Sequence, residues 1–240
     1  MLAHLQRAYR QLFELSPPWT PLHLHHRALA RYIDARAPQI LDGVGGSEIR
    51  VLDVGCGDMP YRATFERDAR CIRYDGADIP SAQTRATIAI DPDSQIVSAA
   101  SGSYDLVLSF QALEHVLRPM VLLRECFRVL RPGGSLFVTL PFLFEHHGVP
   151  RDFRRWTHEG IVEDLAATGF EDVSAEPIET DLQSLVVMGG TYVGRNLGYF
   201  WTKPLFLAMN ATALAVDLLK PSNNYRVLPL TIAATGRKGR

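Results

Sequence analysis

Residues 50–57 read Arg-Val-Leu-Asp-Val-Gly-Cys-Gly, and no other stretch limits the possible folds as much. The apolar run predicts a strand of the kind that lies in a buried parallel sheet. Two glycines spaced by one follow it at once. Glycine lets the backbone turn sharply and approach a ligand where a Cβ would clash. In open α/β sheets, a loop of this kind at the carboxyl end of a strand is where nucleotide-like ligands sit.

The rest of the chain alternates in the way such a sheet requires. Helices are predicted over residues 1–15 and 22–37, broken by Ser16-Pro17-Pro18. In the second, Leu22, Leu29 and Ile33 recur at helical spacing. Gly43 to Gly46 read as a loop. Strands are predicted at Arg50–Val54, at Cys71–Tyr74 continuing to near Asp78, and at Ala86–Ile90, Asp105–Phe110, Ser135–Leu140, Val173–Ile178 and Leu228–Ala233. Helices are predicted at Tyr61–Arg67, Pro119–Leu130 and His158–Thr168, the last capped by Thr157 and stopped by Gly169. Arg131-Pro132-Gly133-Gly134 has proline and glycine placed for a type II turn. Strands and helices in this order form a mostly parallel sheet covered on both faces.

Composition excludes several classes. A net charge of −1 over 240 residues does not suit a protein held to nucleic acid by phosphate contacts. Cys56, Cys71 and Cys126 are odd in number and scattered. They give neither a disulfide framework nor a zinc spacing, which fits a reducing, cytoplasmic compartment. The opening MLAHLQRAYRQLFEL has no long apolar core after a basic end, so it does not read as a secretory signal. No uncharged apolar run reaches the roughly 20 residues of a spanning helix. His23, His25 and His26 have no acidic residue nearby in the sequence, so no metal is expected there.

The ligand class follows from what surrounds the glycines. A nicotinamide site favours G-x-G-x-x-G opening a helix, but here Asp58-Met59-Pro60 follows Gly57 and no third glycine is in place. Asp53 just before the pair instead makes the stretch resemble motif I, near D-x-G-x-G, of the class I S-adenosylmethionine-dependent methyltransferases. Asp78 stands where that family ends its second strand with a ribose-binding acid. Ser103–Leu108 resembles its fourth strand, Glu114-His115-Val116 its E-H-V element, and Arg128–Gly134 its R-V-L-x-P-G-G turn. Order and spacing match over about residues 48–178, in the manner of type 11 methyltransferases.

The resemblance implies a Rossmann-like α/β fold with a seven-stranded, mostly parallel sheet, helices on both faces and the last strand antiparallel. It implies that Asp53, Gly55, Cys56, Gly57, Asp78 and Phe110 bind S-adenosylmethionine and release S-adenosylhomocysteine. It places Asp91 and Asp93 where the family contacts adenine. Asp58 either meets the methionine amino group or caps the next helix.

The acceptor side is read from residues 142–157. Their spacing resembles H-x-x-P-x-D-x-x-R-[YFW]-T of a methyltransferase subgroup associated with glycan and cell-envelope biosynthesis. His147, Pro150, Asp152, Arg155, Trp156 and Thr157 fill that pattern. His147, His115 and Asp152 are the candidate catalytic groups, since a hydroxyl acceptor benefits from a general base. His146, Arg154, Arg155 and Trp156 are the candidate acceptor-binding residues, with the arginines suited to gripping an anion. The alternative is a closed network in which Asp152 pairs an arginine and only fixes the loop.

Residues 1–47 are expected to form a helical cap and 48–240 the methyltransferase domain, interrupted by an apolar helical insertion at about 179–227. On a helix, Lys203, Asn210 and Asp217 form one narrow polar stripe on an otherwise apolar surface. The insertion is read as a lid, a homodimer surface or a peripheral contact with the inner face of the membrane. The expected acceptor is a sugar, glycan or lipid-linked envelope intermediate. A quinone-like small molecule, or a non-catalytic scaffold, are the alternatives.

Overall fold

The computed structural model describes residues 16–81, 84–147, 151–219 and 226–240. The predicted helix over 1–15 lies outside them. In chain order the elements are α1 (His23–Val44), β1 (Ile49–Val54), α2 (Arg62–Glu66), β2 (Cys71–Asp78), β3 (Ile88–Ala89), β4 (Tyr104–Phe110), a 3-10 turn (Leu113–His115) and α3 (Pro119–Val129). They continue with β5 (Leu130–Pro141), α4 (His158–Thr168), β6 (Phe170–Pro177), α5 (Asp181–Leu197), α6 (Tyr199–Leu219) and β7 (Thr231–Lys238).

The strands form one seven-stranded sheet in the order β3-β2-β1-β4-β5-β7-β6. β1 pairs in parallel with β2 and β4, β2 with β3, and β4 with β5. β7 is the antiparallel member. The expected Rossmann-like methyltransferase architecture is therefore present. The central strands are closed to water on both faces: Val51, Leu52, Leu106, Val107, Leu108, Phe137 and Val138 are fully buried. This is why they read as continuous apolar runs rather than alternating ones. The chain turns outward in opposite directions from β1 and β4, so the sheet has its switch point between those two strands.

Several boundaries depart from expectation. α1 runs through Pro38 to Val44, because Ala37, Leu41 and Val44 continue the buried stripe of Ile33. β3 is only two residues long at the sheet's edge. Leu130 already pairs with Tyr104, and Ser135 pairs with Leu106, so residues 131–134 loop out of an existing strand instead of preceding it. Gly133 has φ +78°, the conformation that a type II turn needs there. β7 begins three residues later than predicted and runs to Lys238.

The chain divides into two compact units, each drawn from several segments. One unit gathers the described residues of 16–33, 142–145 and 177–231. The other contains 34–141, 146–176 and 232–240 and holds nearly the whole sheet.

In the first unit, α5 and α6 are two helices hinged at Gly198 (φ +81°). Of the stripe predicted on α6, Asn210 and Asp217 turn inward, whereas Lys203 is exposed, its Nζ over the Phe200 ring. Asn210 is buried and donates to the carbonyls of Pro18 (2.8 Å) and Thr20 (2.9 Å). Asp217 accepts from Gln183 Nε2 at 2.6 Å and from Thr180 Oγ1 at 3.2 Å. Gly190 allows Pro21 to approach to where a Cβ would stand 3.0 Å from it. His25 is not far from acids in space: its Nδ1 lies 2.8 Å from the buried Glu179, whose other oxygen accepts from Thr231 N at 2.9 Å. The outward surface of the hairpin carries Leu185, Tyr192, Leu197, Phe200, Trp201, Leu205, Leu207, Leu218 and Leu219, all exposed. Among the described residues no helix is long and apolar enough to cross a membrane.

Candidate active site

The loop after β1 is held by backbone contacts that only glycine permits. Gly55 (φ +72°) and Cys56 donate to the Ala77 carbonyl of β2 at 2.8 and 3.3 Å. A Cβ on Gly55 would stand 2.4 Å from the Ala112 Cβ, on the segment following β4. The two chain crossings at the switch point therefore touch, and Gly55 is small because of that approach. Gly57 (φ +51°) differs: a Cβ there would meet nothing within 4 Å. Its backbone N–H and carbonyl are taken up by Asp78 and Arg85, but the side where a Cβ would stand is open, so a ligand can approach the loop closely there.

The acids flank this loop in different states. Asp78 closes β2; its Oδ2 accepts from Gly57 N and its Oδ1 from Ile79 N, at 2.8 and 2.7 Å. Thr84 Oγ1 also reaches the Gly57 carbonyl, at 3.1 Å. A carboxylate has about four acceptor positions, so Asp78 can shape the loop and still accept from a vicinal diol. Asp53 is buried, with Tyr74 O–H donating to its Oδ2 at 2.7 Å. Burial pushes its carboxyl up to about 7; the Tyr74 bond opposes this and Asp78 adds to it. Burial likewise pushes the Cys56 thiol up to about 12, so Cys56 is a packed, un-ionised side chain. Phe110 closes β4, packed edge-on to Tyr61 and Phe137.

These residues fit S-adenosylmethionine. The Gly55–Gly57 backbone and Asp53 would receive its methionine part, and Asp78 its ribose. Asp58 is exposed, and Tyr61, not Asp58, holds the N-cap position of α2. Asp91 is drawn into a local turn, accepting from Ser94 N at 2.6 Å and Asp93 N at 3.1 Å. Asp93 is exposed and its carbonyl accepts from Arg118.

A second group of side chains lies just beyond β4, within the same unit. Glu114 is fully buried, and neither carboxylate oxygen has a hydrogen-bond partner among the described residues. Burial raises its carboxyl to about 6. His115 Nδ1 donates to the Arg151 carbonyl at 2.5 Å, and its Nε2 is 3.9 Å from Glu114 Oε1. His147 meets His115 edge-on, with ring centroids 5.2 Å apart. Its Nδ1 is 3.4 Å from Asp152 Oδ2. Glu114 is named in the sequence only as part of E-H-V. The signal that could have singled it out is its place four residues after a fully buried strand.

The loop residues divide into those that hold and those that face outward. The Asp152 carboxylate is taken up by both Arg155 guanidinium nitrogens (2.5 and 2.7 Å) and by His147 N (3.0 Å). The guanidinium holds it far below the usual carboxylate range, so Asp152 orients His147 and is a poor proton acceptor. Arg155 is committed to that pair, and Arg154 to the Leu117 carbonyl at 3.0 Å. Neither stands ready as the anion grip expected. Trp156 is buried, bonded from Nε1 to Asp164 at 3.0 Å, and so anchors the loop rather than lining an acceptor site. His146 is exposed. Pro150 lies outside the described residues.

Comparison with known proteins agrees with this geometry. The family described as a methyltransferase domain matches residues 22–175, more than half of the chain. A ubiquinone biosynthesis O-methyltransferase of Pseudomonas aeruginosa is 28% identical over 148 residues, covering 58% of this chain and 61% of that one. One from Xanthomonas oryzae pv. oryzae is 33% identical over 132 residues, covering 51% and 52%. The chain thus spans between about half and three fifths of the length of the curated relatives it matches. Among solved structures, a SAM-dependent methyltransferase from Archaeoglobus fulgidus aligns with TM-score 0.53 at 18% identity, covering 87% of this chain and 94% of that one. Phosphoethanolamine N-methyltransferase 2 of Haemonchus contortus, in complex with S-adenosyl-L-methionine, aligns with TM-score 0.54 at 17% identity, covering 86% and 53%. These likenesses show the fold. With the family match and the acidic-glycine loop at the switch point, the chain belongs to the class I S-adenosylmethionine-dependent methyltransferases.

Proposed function

We propose that this chain transfers the methyl group of S-adenosylmethionine to a hydroxyl oxygen of an acceptor carrying a long apolar tail. The observation that carries this reading is the meeting of Glu114, His115 and His147 at the carboxyl edge of the sheet, in the same unit as the cofactor loop. The cofactor supplies the electrophilic methyl when bound. The chain's own task is to align an oxygen, relieve it of its proton and keep water out. An imidazole is the side chain suited to that proton near neutral pH. His115 is held from Nδ1 by the Arg151 carbonyl at 2.5 Å, and His147 has its Nδ1 3.4 Å from Asp152.

An apolar tail is supported by a separate feature. Exposed Phe200, Trp201, Leu218 and Leu219 give α6 an apolar outer side, suited to lying in a lipid surface. The curated relatives named for ubiquinone biosynthesis methylate oxygen, which favours a quinone-type ring hydroxyl over a glycan hydroxyl. We place the protein at the inner face of a membrane, in peripheral contact through α5 and α6.

The reading is tested by incubating the protein with methyl-labelled S-adenosylmethionine and host lipid extracts, then locating the label by mass spectrometry. The expected product is a methyl ether in the organic phase. Label on nitrogen or carbon, or in water-soluble glycans alone, contradicts the proposal. No label anywhere, with S-adenosylhomocysteine bound normally, favours a scaffold role.

A further inference from the structure

The geometry points to a divalent metal site built from the Glu114 carboxylate and the imidazoles of His115 and His147. One ligand atom from each of the three lies within 4.8 Å of the others. In a tetrahedral site with bonds of about 2.1 Å, ligand atoms stand roughly 3.4 Å apart, so side-chain shifts of about 1 Å close the set. Glu114 supplies the observation that a mere polar cluster lacks. It is fully buried, with both oxygens lacking a hydrogen-bond partner among the described residues. A buried carboxylate left in that state is costly unless it is protonated or coordinates a cation.

The outer contacts match those of metal-binding histidines. A ligating imidazole commonly gives its other N–H to a carbonyl or carboxylate, which fixes the tautomer and aims the lone pair. His115 Nδ1 meets the Arg151 carbonyl at 2.5 Å. A carbonyl only accepts, so the proton sits on Nδ1 and the neutral ring's lone pair on Nε2, the atom 3.9 Å from Glu114 Oε1. Asp152 plays the same part for Nδ1 of His147 at 3.4 Å. The pairing of Asp152 with Arg155 thus becomes part of the ligand's support.

Two imidazoles and one carboxylate suit Zn²⁺ and the neighbouring first-row dications. Three protein ligands leave positions open for substrate or water. The role in catalysis, unlike the binding itself, rests on the proposed hydroxyl acceptor. The acceptor oxygen takes an open position and its acidity rises, so its proton leaves to solvent. The oxygen lone pair then forms the O–CH3 bond as the S–CH3 bond breaks, giving a methyl ether, S-adenosylhomocysteine and one proton. With the ion bound, His115 and His147 are ligands and the ion takes over from the imidazole base of the proposed function; without the ion an imidazole remains the base.

The test uses the full chain, free of any affinity tag and stripped with a chelator. Zn²⁺ is titrated by calorimetry and Co²⁺ by its visible absorption, without cofactor or acceptor. One equivalent should bind, and Glu114→Gln and His147→Ala should each weaken binding about 100-fold. His26→Ala, on the separate histidine cluster of α1, should leave it unchanged. S-adenosylhomocysteine binding by each variant verifies that the fold is retained. Failure of the wild type to bind a stoichiometric ion, or wild-type affinity retained in both Glu114→Gln and His147→Ala, overturns the site. Methyl transfer by chelator-treated protein at the untreated rate overturns its role and leaves the hydroxyl acceptor standing. A protein that binds the ion but methylates no hydroxyl overturns the acceptor and leaves the site standing.

Discussion

At the carboxyl edge of the sheet, apolar side chains fill the interior while carboxylates, imidazoles and the glycine loop collect beside the switch point. In the α5–α6 hairpin the arrangement is reversed. Asn210, Asp217, Thr180 and Gln183 are bonded within the unit, and Phe200, Trp201, Leu218 and Leu219 face outward. Polar groups placed at an edge, with lone pairs to spare, are equipped to act on a ligand. Polar groups consumed by one another act only as fasteners, leaving the apolar surface to meet whatever lies outside. The proposed chemistry of the first region and the proposed contact of the second rest on this contrast.

The largest effect should come from Gly55→Ala. Its φ of +72° costs a residue with a Cβ about 1–3 kcal/mol, and the Ala112 side chain occupies the needed space. Calorimetry should find S-adenosylhomocysteine binding lost, whereas Gly189→Ala in α5, where nothing lies within 4 Å, should bind normally. Next is Asp152→Asn, which leaves Arg155 partly buried and His147 unsupported. Turnover should fall about tenfold or more through misorientation. Cofactor affinity should hold, a split that a general unfolding would not produce.

A pH series sharpens the contrast further. Asp53 titrates near 7 in the folded chain against 3.8 in the reference state, facing Tyr74, Tyr61, Cys56 and Asp78. A carboxyl raised on folding contributes stability that is fully present below the unfolded value and lost as pH rises through the folded one. Asp53→Asn should therefore raise the thermal midpoint more at pH 8 than at pH 5. Because the bound cofactor is cationic at sulfur and nitrogen, it favours the ionised carboxylate. Wild-type affinity should rise between pH 6 and pH 8, and the Asn variant should show no such rise. The smallest effect on the fold belongs to Trp201→Ser with Leu218→Ser. Exposed positions of this kind change stability within about 0.5 kcal/mol, yet co-sedimentation with phospholipid vesicles should drop sharply.

Legibility in the sequence follows the same division. The strand runs, the Thr157 cap and the Gly169 stop could be read because each is a local signal backed by the tertiary structure. Thr157 Oγ1 accepts from Gly160 N at 3.0 Å and Gly169 has φ +108°. The turn after β1 was legible for the same reason, with Gly55 at φ +72° and Gly57 at φ +51°. For Trp156 and Arg155 the sequence left two readings open, because a loop's polar and aromatic residues look alike whether they bind a ligand or one another. Only the Asp164 and Asp152 contacts tell these apart. Of Lys203, Asn210 and Asp217, the last two turn inward and Lys203 stays exposed. Periodicity gives a face but not its direction, and the partner that holds Asn210 lies 192 positions away.

Binding of S-adenosylhomocysteine to the wild type, Asp53→Ala and Asp78→Ala, measured by calorimetry at pH 7.5, tests the central claim most directly. The account predicts one site per chain and a loss of about 10- to 100-fold for Asp78→Ala, the magnitude of charged hydrogen bonds to ligand and loop, with Asp53→Ala also weakened. Wild-type affinity retained in both variants would contradict it, because the cofactor could not then lie against the loop that follows β1.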